Sequence, residues 1–201
     1  MDLTRTLDPL FAPASVVVYG ASDVHGSWGR AVAERLLRGE PERPVHFVSE
    51  RRPEVLGRAT VPSLDALPEV PELAVLVVPS RVLPDVADQV LDAGVRAVVA
   101  IAAGFGETGE AGREVELQMA RRAREAGAVL LGPNCMGVVD TGSGLHAAPW
   151  IDLAEGDVAF VSQSGNLSID FGDRARDLCI GFSRFVSVGR SEEHTSELQS
   201  H

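Results

Sequence analysis

Apolar residues along this chain fall into two alternating forms: short unbroken runs, and longer stretches in which they recur every three or four positions. The unbroken runs lie at 16–19 (Val16, Val17, Val18, Tyr19), 44–48, 73–78, 97–101 and 128–131. A run without polar alternation predicts a strand buried on both faces, as in a parallel sheet covered by helices. Between the runs lie helix-period stretches. Residues 28–38 set Trp28, Val32 and Leu36 on one face and Arg30, Glu34 and Arg38 on another. Residues 81–93 align Val82, Val86 and Val90, and 110–126 align Val115, Met119 and Ala123. Gly39, Gly94 and Gly127 each stop a helix just before a strand, Pro79 stops the third strand, and 62–67 reads as a short helix. Residues 1–14 read as a lead-in with a turn around Leu10 to Pro13. Strand and helix in alternation predict an α/β domain with a parallel sheet and right-handed crossovers. Ligands of such sheets bind at the carboxyl ends of the strands. Here those ends are 20–26, 48–52, 78–80, 101–104 and 132–135, so five segments should converge on one crevice.

After Gly137 the pattern breaks. Residues 138–156, with Gly142, Gly144, Pro149 and Gly156, read as a connector. A strand at 158–161, a turn at 162–165, a helix at 166–178 and a strand from 185 then repeat the strand–turn–helix opening. That predicts the start of a second domain.

The first strand-to-helix turn carries the chemistry. Gly20, Ala21, Ser22, Asp23 and Gly26 form a loop of small residues, and Ser27 is placed to cap the helix that follows. Backbone N–H groups at a helix start carry partial positive charge, and a phosphate sits on them where no side chain intervenes. Ser22 occupies the second glycine position of G-x-G-x-x-G, so the loop alone is compatible with a phosphorylated cofactor or with a tight turn.

Composition narrows the partners. The chain has 201 residues, 45% of them hydrophobic, enough for one full domain and part of another. A net charge of −11 argues against nucleic acid or an anionic membrane as partner. Every cation is Arg, which reflects coding bias rather than function. Cys135 and Cys179 form no metal or disulfide pattern, which points to a reducing cytoplasm. No metal site is expected, the N-terminus does not read as a signal peptide, and no apolar run nears the roughly 18 residues of a membrane span.

Seven segments taken in order carry a resemblance: VVVYGAS (16–22), EVLGRATVPSLDALP (54–68), LAVLVVPS (73–80), AGFGETGE (103–110), LGPNCMG (131–137), GDVAFVSQSG (156–165) and GFSRFVSVG (181–189). The chain resembles the N-terminal part of the NDP-forming acyl-CoA synthetases, which are similar to the alpha subunit of succinyl-CoA ligase and include the ADP-forming acetate–CoA ligases. The resemblance implies a Rossmann-like CoA-binding domain over 1–137 and, after the connector, the start of a flavodoxin-like domain over 157–189. It implies a reaction of acid, CoA and ATP giving acyl-CoA, ADP and phosphate through a phosphohistidine. By position, the coenzyme A loop is Gly20, Ala21, Ser22, Asp23, Gly26 and Ser27. The nucleotide pocket's wall is Val48, Val78 and Pro79. The thioester end passes Ile101, Ala102, Asn134 and Cys135. In the second domain Ser164, Gly165 and Asn166 open a helix toward the phosphoryl group. An ATP-grasp domain or subunit is the implied partner, and ATP, ADP and magnesium enter only through it.

The chain departs from the family pattern in places. Where many relatives read V-N-P, it has Val48, Ser49 and Glu50; Glu50 repels phosphates and Arg52 offsets it. Many relatives have Ser where Ala102 stands. The family's phosphorylated histidine lies beyond the matched segments; His25, His46 and His146 fall in a loop, a strand and the connector and read as ordinary histidines. No catalytic residue is therefore expected in 1–189, and the chain alone is expected to be inactive. Residues 190–201 resemble a translated sequencing adapter and are expected to be a foreign tail on a truncated chain, so their two His and three Glu are not read as a metal site. Cys135 reads as a packing residue rather than a nucleophile, and Ser164 lacks the flanks of a nucleophile elbow. Two alternatives stay open: a free-standing or regulatory CoA-binding module, and an NAD(P)-binding oxidoreductase domain in which Glu50 holds a ribose.

Overall fold

The computed structural model describes residues 3–38 and 43–189. In chain order the elements are α1 (Leu3–Phe11), β1 (Val16–Tyr19), α2 (Trp28–Arg38), β2 (Val45–Val48), β3 (Glu54–Val55), β4 (Arg58–Ala59), β5 (Leu73–Leu76), α3 (Leu83–Asp92), β6 (Ala97–Ala100), α4 (Glu110–Glu125), β7 (Val129–Leu131), β8 (Gly137–Asp140), β9 (Leu145–Ala147), β10 (Glu155–Ser162), α5 (Gly165–Asp177) and β11 (Phe182–Ser187). Short 3-10 turns occupy Leu64–Ala66 and Gly106–Thr108. Gly39, read as the stop of the helix at 28–38, and the tail at 190–201 lie outside the described residues.

Five strands form a wholly parallel sheet in the order β2-β1-β5-β6-β7. The unbroken apolar runs have the expected cause. Val16 and Val18 of β1 point into a cluster with Val32 and Leu36 of α2 and Leu10 of α1, while Val17 points into the opposite cluster with Leu83, Val90 and Met119. Both faces are covered, so no polar position survives along β1. The chain moves outward from β1 to β2, then returns to the other side of β1 with β5. The reversal makes the gap beyond the β1 and β5 ends the sheet's topological switch point.

The second sheet has the order β10-β11-β8-β9, with β10 and β11 parallel and the other pairs antiparallel. Residues 138–156, expected as a connector, thus supply strands β8 and β9. Their partners explain the misreading: β8 pairs with β11, some forty residues later, and β9 packs on α2. Neither signal is local. β10 is the outer strand among the described residues, and its Val158 and Val161 are exposed.

Three further expectations are corrected. Most of the lead-in is helix α1, Leu3–Phe11, rather than irregular chain, despite Pro9 inside it. Distant contacts hold its end: the Ser143 hydroxyl donates to the Phe11 carbonyl at 2.6 Å, and the Arg184 guanidinium lies 4.5 Å from the Phe11 ring centroid. Helix α3 buries Leu83, Ala87, Val90 and Leu91, while Val82 and Val86 are only half-buried, Val86 packing at the margin of the core. Trp28, expected on the buried face of α2, is exposed.

One backbone contact sets how closely α2 sits on the sheet. A Cβ added to Gly29 would stand 2.0 Å from the Gly20 carbonyl oxygen. Alanine is ordinarily better than glycine in a helix by about 1 kcal/mol. At this position overpacking should reverse the sign, and G29A should lower unfolding stability by about 1–3 kcal/mol in a urea titration.

A second expectation concerns pH. His146 on β9 is half-buried against α2, and its Nδ1 is buried with no hydrogen-bond partner. Burial first, then the Arg35 charge, with Arg43 and Arg38 adding and Asp152 opposing, hold its pKa below the ordinary histidine value. The native state therefore favours the neutral ring, and the unfolded chain binds the proton first as pH falls. This contribution is fully present above the unfolded pKa of about 6.5 and is lost as pH falls through the lower folded value. The urea midpoint should drop between pH 7 and pH 5, and H146Q should show a shallower drop.

Candidate functional site

The turn after β1 is built by close packing and capping. Gly20 takes φ +89°, and a Cβ there would meet the Val77 carbonyl oxygen at 2.1 Å. The ends of β1 and β5 therefore come together at the switch point only because residue 20 has no side chain. Ser27 caps α2 as expected, its hydroxyl accepting from the Arg30 N–H at 3.2 Å. Arg30 Nη1 donates back to the Asp23 carbonyl at 2.8 Å. The Asp23 carboxylate accepts from the Leu56 N–H at 2.7 Å, which ties the loop to the β3–β4 hairpin. Ser22 Oγ accepts from the Val24 N–H at 3.1 Å and from Arg52 Nη1 at 3.4 Å.

A crevice runs along the carboxyl edge of the sheet in two parts that share Gly20, Ser22, Val77, Val78 and Pro79. The outer part encloses about 1080 Å³ between the β1, β2 and β5 ends and α3. Ala21, Val48 and Arg52 line it, as do Tyr19, Leu64, Asp65, Val82 and Val86, which sequence reading passed over. Formal charges gather here: Arg51 and Arg52 against Glu50, Asp65 and Asp92. Burial, and then the Asp65 carboxylate, raise the pKa of Tyr19, so its hydroxyl stays protonated as a donor.

The inner part encloses about 750 Å³. It brings Ser27, Ile101, Ala102, Asn134 and Cys135 together with Ser164, Gly165 and Asn166. The loop expected from the first domain and the turn expected from the second thus face one space. One contact ties two strand ends within the first part, and two more join that part to the second. The Asn134 N–H donates to the Ala102 carbonyl at 2.8 Å. Met136 packs under Gly165, whose added Cβ would meet it at 2.7 Å. Gly189, just past β11, sits against the carbonyls of Pro133 and Asn134. Ser164 caps α5 through the Leu167 N–H at 3.3 Å, so both helices begin at this crevice with a serine cap.

Of the residues singled out from sequence, Asp23 and Gly26 line neither part; Asp23 pins the hairpin and Gly26, at φ +76°, shapes the turn before Ser27. Trp28, Ser80, Glu107, Met136, Gln163 and Ser187 line the inner part without having been singled out. Glu107 and Gln163 stand inside two of the quoted segments, AGFGETGE and GDVAFVSQSG, so those segments held the signal. The Glu107 carboxylate accepts from the backbone N–H groups of Gly104 and Phe105 at 2.5 and 3.1 Å, shaping the loop after β6.

Among the described residues, no group of three or more His, Cys, Asp and Glu side chains is placed to hold a metal ion, and no helix is long and apolar enough to cross a membrane.

A doubly wound sheet with capped helix starts at its switch point defines a nucleotide-type binding domain. The chain belongs to the CoA binding domain family, which residues 14–141 match. Residues 155–196 match the succinyl-CoA ligase like flavodoxin domain, so a flavodoxin-like domain begins after the first. That second match enters the stretch read as a foreign tail. The chain is 36% identical over 183 residues to the alpha subunit of acetate–CoA ligase (ADP-forming) II from Pyrococcus furiosus, covering 91% of this chain and 40% of that protein. To the alpha subunit of isoenzyme I from the same organism it is 37% identical over 194 residues, covering 94% of this chain and 42% of the relative. Among solved structures it is similar to the dinucleotide forming acetyl-coenzyme A synthetase 1 of Ca. Korarchaeum cryptofilum in complex with phosphate and ADP, with a TM-score of 0.84 and 34% identity over 91% of this chain and 39% of that one. The chain thus spans about two fifths of the length of the curated relatives it matches.

Cys135 is tested directly by its surroundings. It is fully buried, its thiol points to the Ala100 carbonyl at 3.3 Å, and burial pushes its pKa up to about 12. A thiol that stays protonated is a poor nucleophile. Cys179 is exposed. In the folded protein at pH 8 a thiol reagent should modify Cys179 quickly and Cys135 only on unfolding; rapid loss of both thiols would contradict the packing role.

Proposed function

We propose that the crevice binds coenzyme A, its phosphates at the start of α2 beside Ser22 and Arg52, its nucleotide against Val48, Val78 and Pro79, and its sulfur toward Ile101, Ala102, Asn134 and Cys135. The observation that carries this reading is that one continuous crevice runs from a capped helix start at the switch point to a second capped helix start in the flavodoxin-like part. The residues fit such a ligand. N–H groups in the first turn of a helix have no acceptor of their own in the helix. Backbone-to-backbone contact at Gly29 and Gly20 keeps side chains out of the phosphate position, and Arg52 supplies a cation at the outer part.

The whole protein, on this reading, is an ADP-forming acyl-CoA synthetase. An acid, CoA and ATP give acyl-CoA, ADP and phosphate, with the phosphoryl group carried on a histidine that the matched segments do not contain. ATP, ADP and magnesium belong to an ATP-grasp part or subunit. The turn at Ser164, Gly165 and Asn166 receives the phosphoryl group through the open N–H groups of α5. The two units meet where the chain leaves the first sheet, at Gly137. A cytoplasmic location agrees with two free cysteines, one of them exposed.

Calorimetric titration tests the site. The protein should bind CoA and not NAD. S22E places a carboxylate where the phosphates lie and should weaken CoA binding at least about tenfold. Unchanged affinity in S22E would remove the phosphate site from this loop, and preference for NAD would favour an oxidoreductase module.

A further inference from the structure

Residues 49–61 leave the end of β2 and return to it. The Ser49 N–H donates to the Val61 carbonyl at 2.9 Å, and the Val61 N–H donates to the Phe47 carbonyl at 2.9 Å. Within this segment the Arg52 N–H donates to Ser49 Oγ at 3.1 Å, the Arg52 carbonyl accepts from the Thr60 hydroxyl, and the Thr60 N–H donates to the Pro53 carbonyl at 3.0 Å. At the tip, β3 and β4 are joined by Leu56 and Gly57 alone, at φ 52° and 74°. A two-residue hairpin turn with both φ positive ordinarily takes Asn, Asp or Gly at its first place, and leucine there is strained. Such a backbone persists where its surroundings over-determine it, and it marks functional sites. The buried Val55 holds the hairpin to the core, and the Asp23 carboxylate holds its tip, accepting from the Leu56 N–H at 2.7 Å. Asp23 is fixed at its other end as well, its carbonyl accepting from Arg30 Nη1 of α2 at 2.8 Å. It therefore joins the first turn of α2 to the hairpin tip. Beside that joint, Arg52 Nη1 reaches Ser22 Oγ at 3.4 Å.

Resting on the CoA reading, we propose that Asp23 is a positioning residue for the phosphate site: by tying the β3–β4 hairpin to the loop after β1, it keeps the Arg52 guanidinium beside Ser22, where the phosphates arrive. Asp23 touches no phosphate itself, since it lines neither part of the crevice. Arg52 is exposed, and an untethered arginine samples many rotamers that binding would have to freeze. One whose backbone and tip are already held gives up less on binding. By its charge alone a carboxylate on a phosphate loop would repel the ligand. Charge and tether thus predict effects of opposite sign when the side chain is removed.

The experiment titrates the 201-residue protein and its variants with CoA by calorimetry, at low and at high salt. R52A should weaken binding about tenfold and flatten its salt dependence. D23A should weaken it about fivefold and flatten it in the same way. In D23N the amide oxygen still accepts from the Leu56 N–H, and affinity should stay within about twofold of the unaltered protein. The double variant D23A/R52A should bind no more weakly than R52A, because Asp23 acts through Arg52. Trypsin should cut after Arg58 faster in D23A than in D23N. D23S, whose hydroxyl is too short to reach Leu56, takes the place of D23A if that variant does not fold, with the same losses expected. Affinity unchanged or raised in D23A, D23N as weak as D23A, or losses that multiply in the double variant would each overturn the proposal while CoA binding still stood. Failure of the unaltered protein to bind CoA would remove the underlying reading and this one with it.

Discussion

Three backbone segments touch at the switch point of the parallel sheet, and the rest of the molecule is arranged around that contact. The Gly20 position admits no side chain because the Val77 carbonyl is there, and the Gly29 position admits none because the Gly20 carbonyl is there. The end of β1, the end of β5 and the first turn of α2 are thus stacked carbonyl to Cα, with no side-chain layer between them. Helix α2 is drawn in over the strand ends, and its unpaired N–H groups come to lie at the mouth of the crevice. A side chain at either position would push the helix out and separate the dipole from whatever is bound there. On the proposed reading, packing and ligand recognition are the same constraint here.

The first sheet was legible because its determinants are local. The inner strands β1, β5 and β6 are apolar runs buried on both faces, and helix stops such as Gly94 and Gly127 were read in place. Strand order was not legible, since nothing in β5 says it joins β1 on the side away from β2. The second sheet was half legible. β10, α5 and β11 repeat the strand–turn–helix pattern, whereas β8 and β9 are short, lie among glycines and owe their conformation to β11 and α2. Helix α1 was misread for the same reason. A turn was expected around Leu10 to Pro13, and the contacts that hold the end of the helix come from Ser143 and Arg184, more than a hundred residues away.

The site divides along the same line. Loops named by their small residues were found: Ser22, Ser27 and the Ser164 turn all stand at the crevice. Asp23 was named with them and turns out to hold Leu56 instead, a partner that depends on how the β3–β4 hairpin folds back. Val82, Val86 and Trp28 were aligned on helix faces by their period, and they line the crevice. The period is real, but α3 begins at Leu83 and buries the neighbouring stripe, and Trp28 is the first residue of its helix, where the inward face has no strand beneath it. An apolar stripe at helical spacing fixes that one face is apolar. It does not say whether that face meets the sheet or a cleft.

The two ends of the crevice handle charge by different physical means. At the outer end formal charges of both signs sit on exposed side chains, Arg51, Arg52 and Glu50 among them, where water and salt screen them. At the inner end the electropositive groups are helix starts: the Ser27 cap of α2 and the Ser164 cap of α5 open on the same space, and Glu107 is the one formal charge on the described walls. Backbone dipoles are fixed by the fold, so they need no side-chain reorganisation to receive an anion, and they add no cation to compete for other anions. Both starts line one cavity, and contacts cross between the two parts: Met136 under Gly165, and Gly189 against Pro133 and Asn134. These crossing contacts bring the opening of the flavodoxin-like part to the same edge of the parallel sheet as the loop after β1.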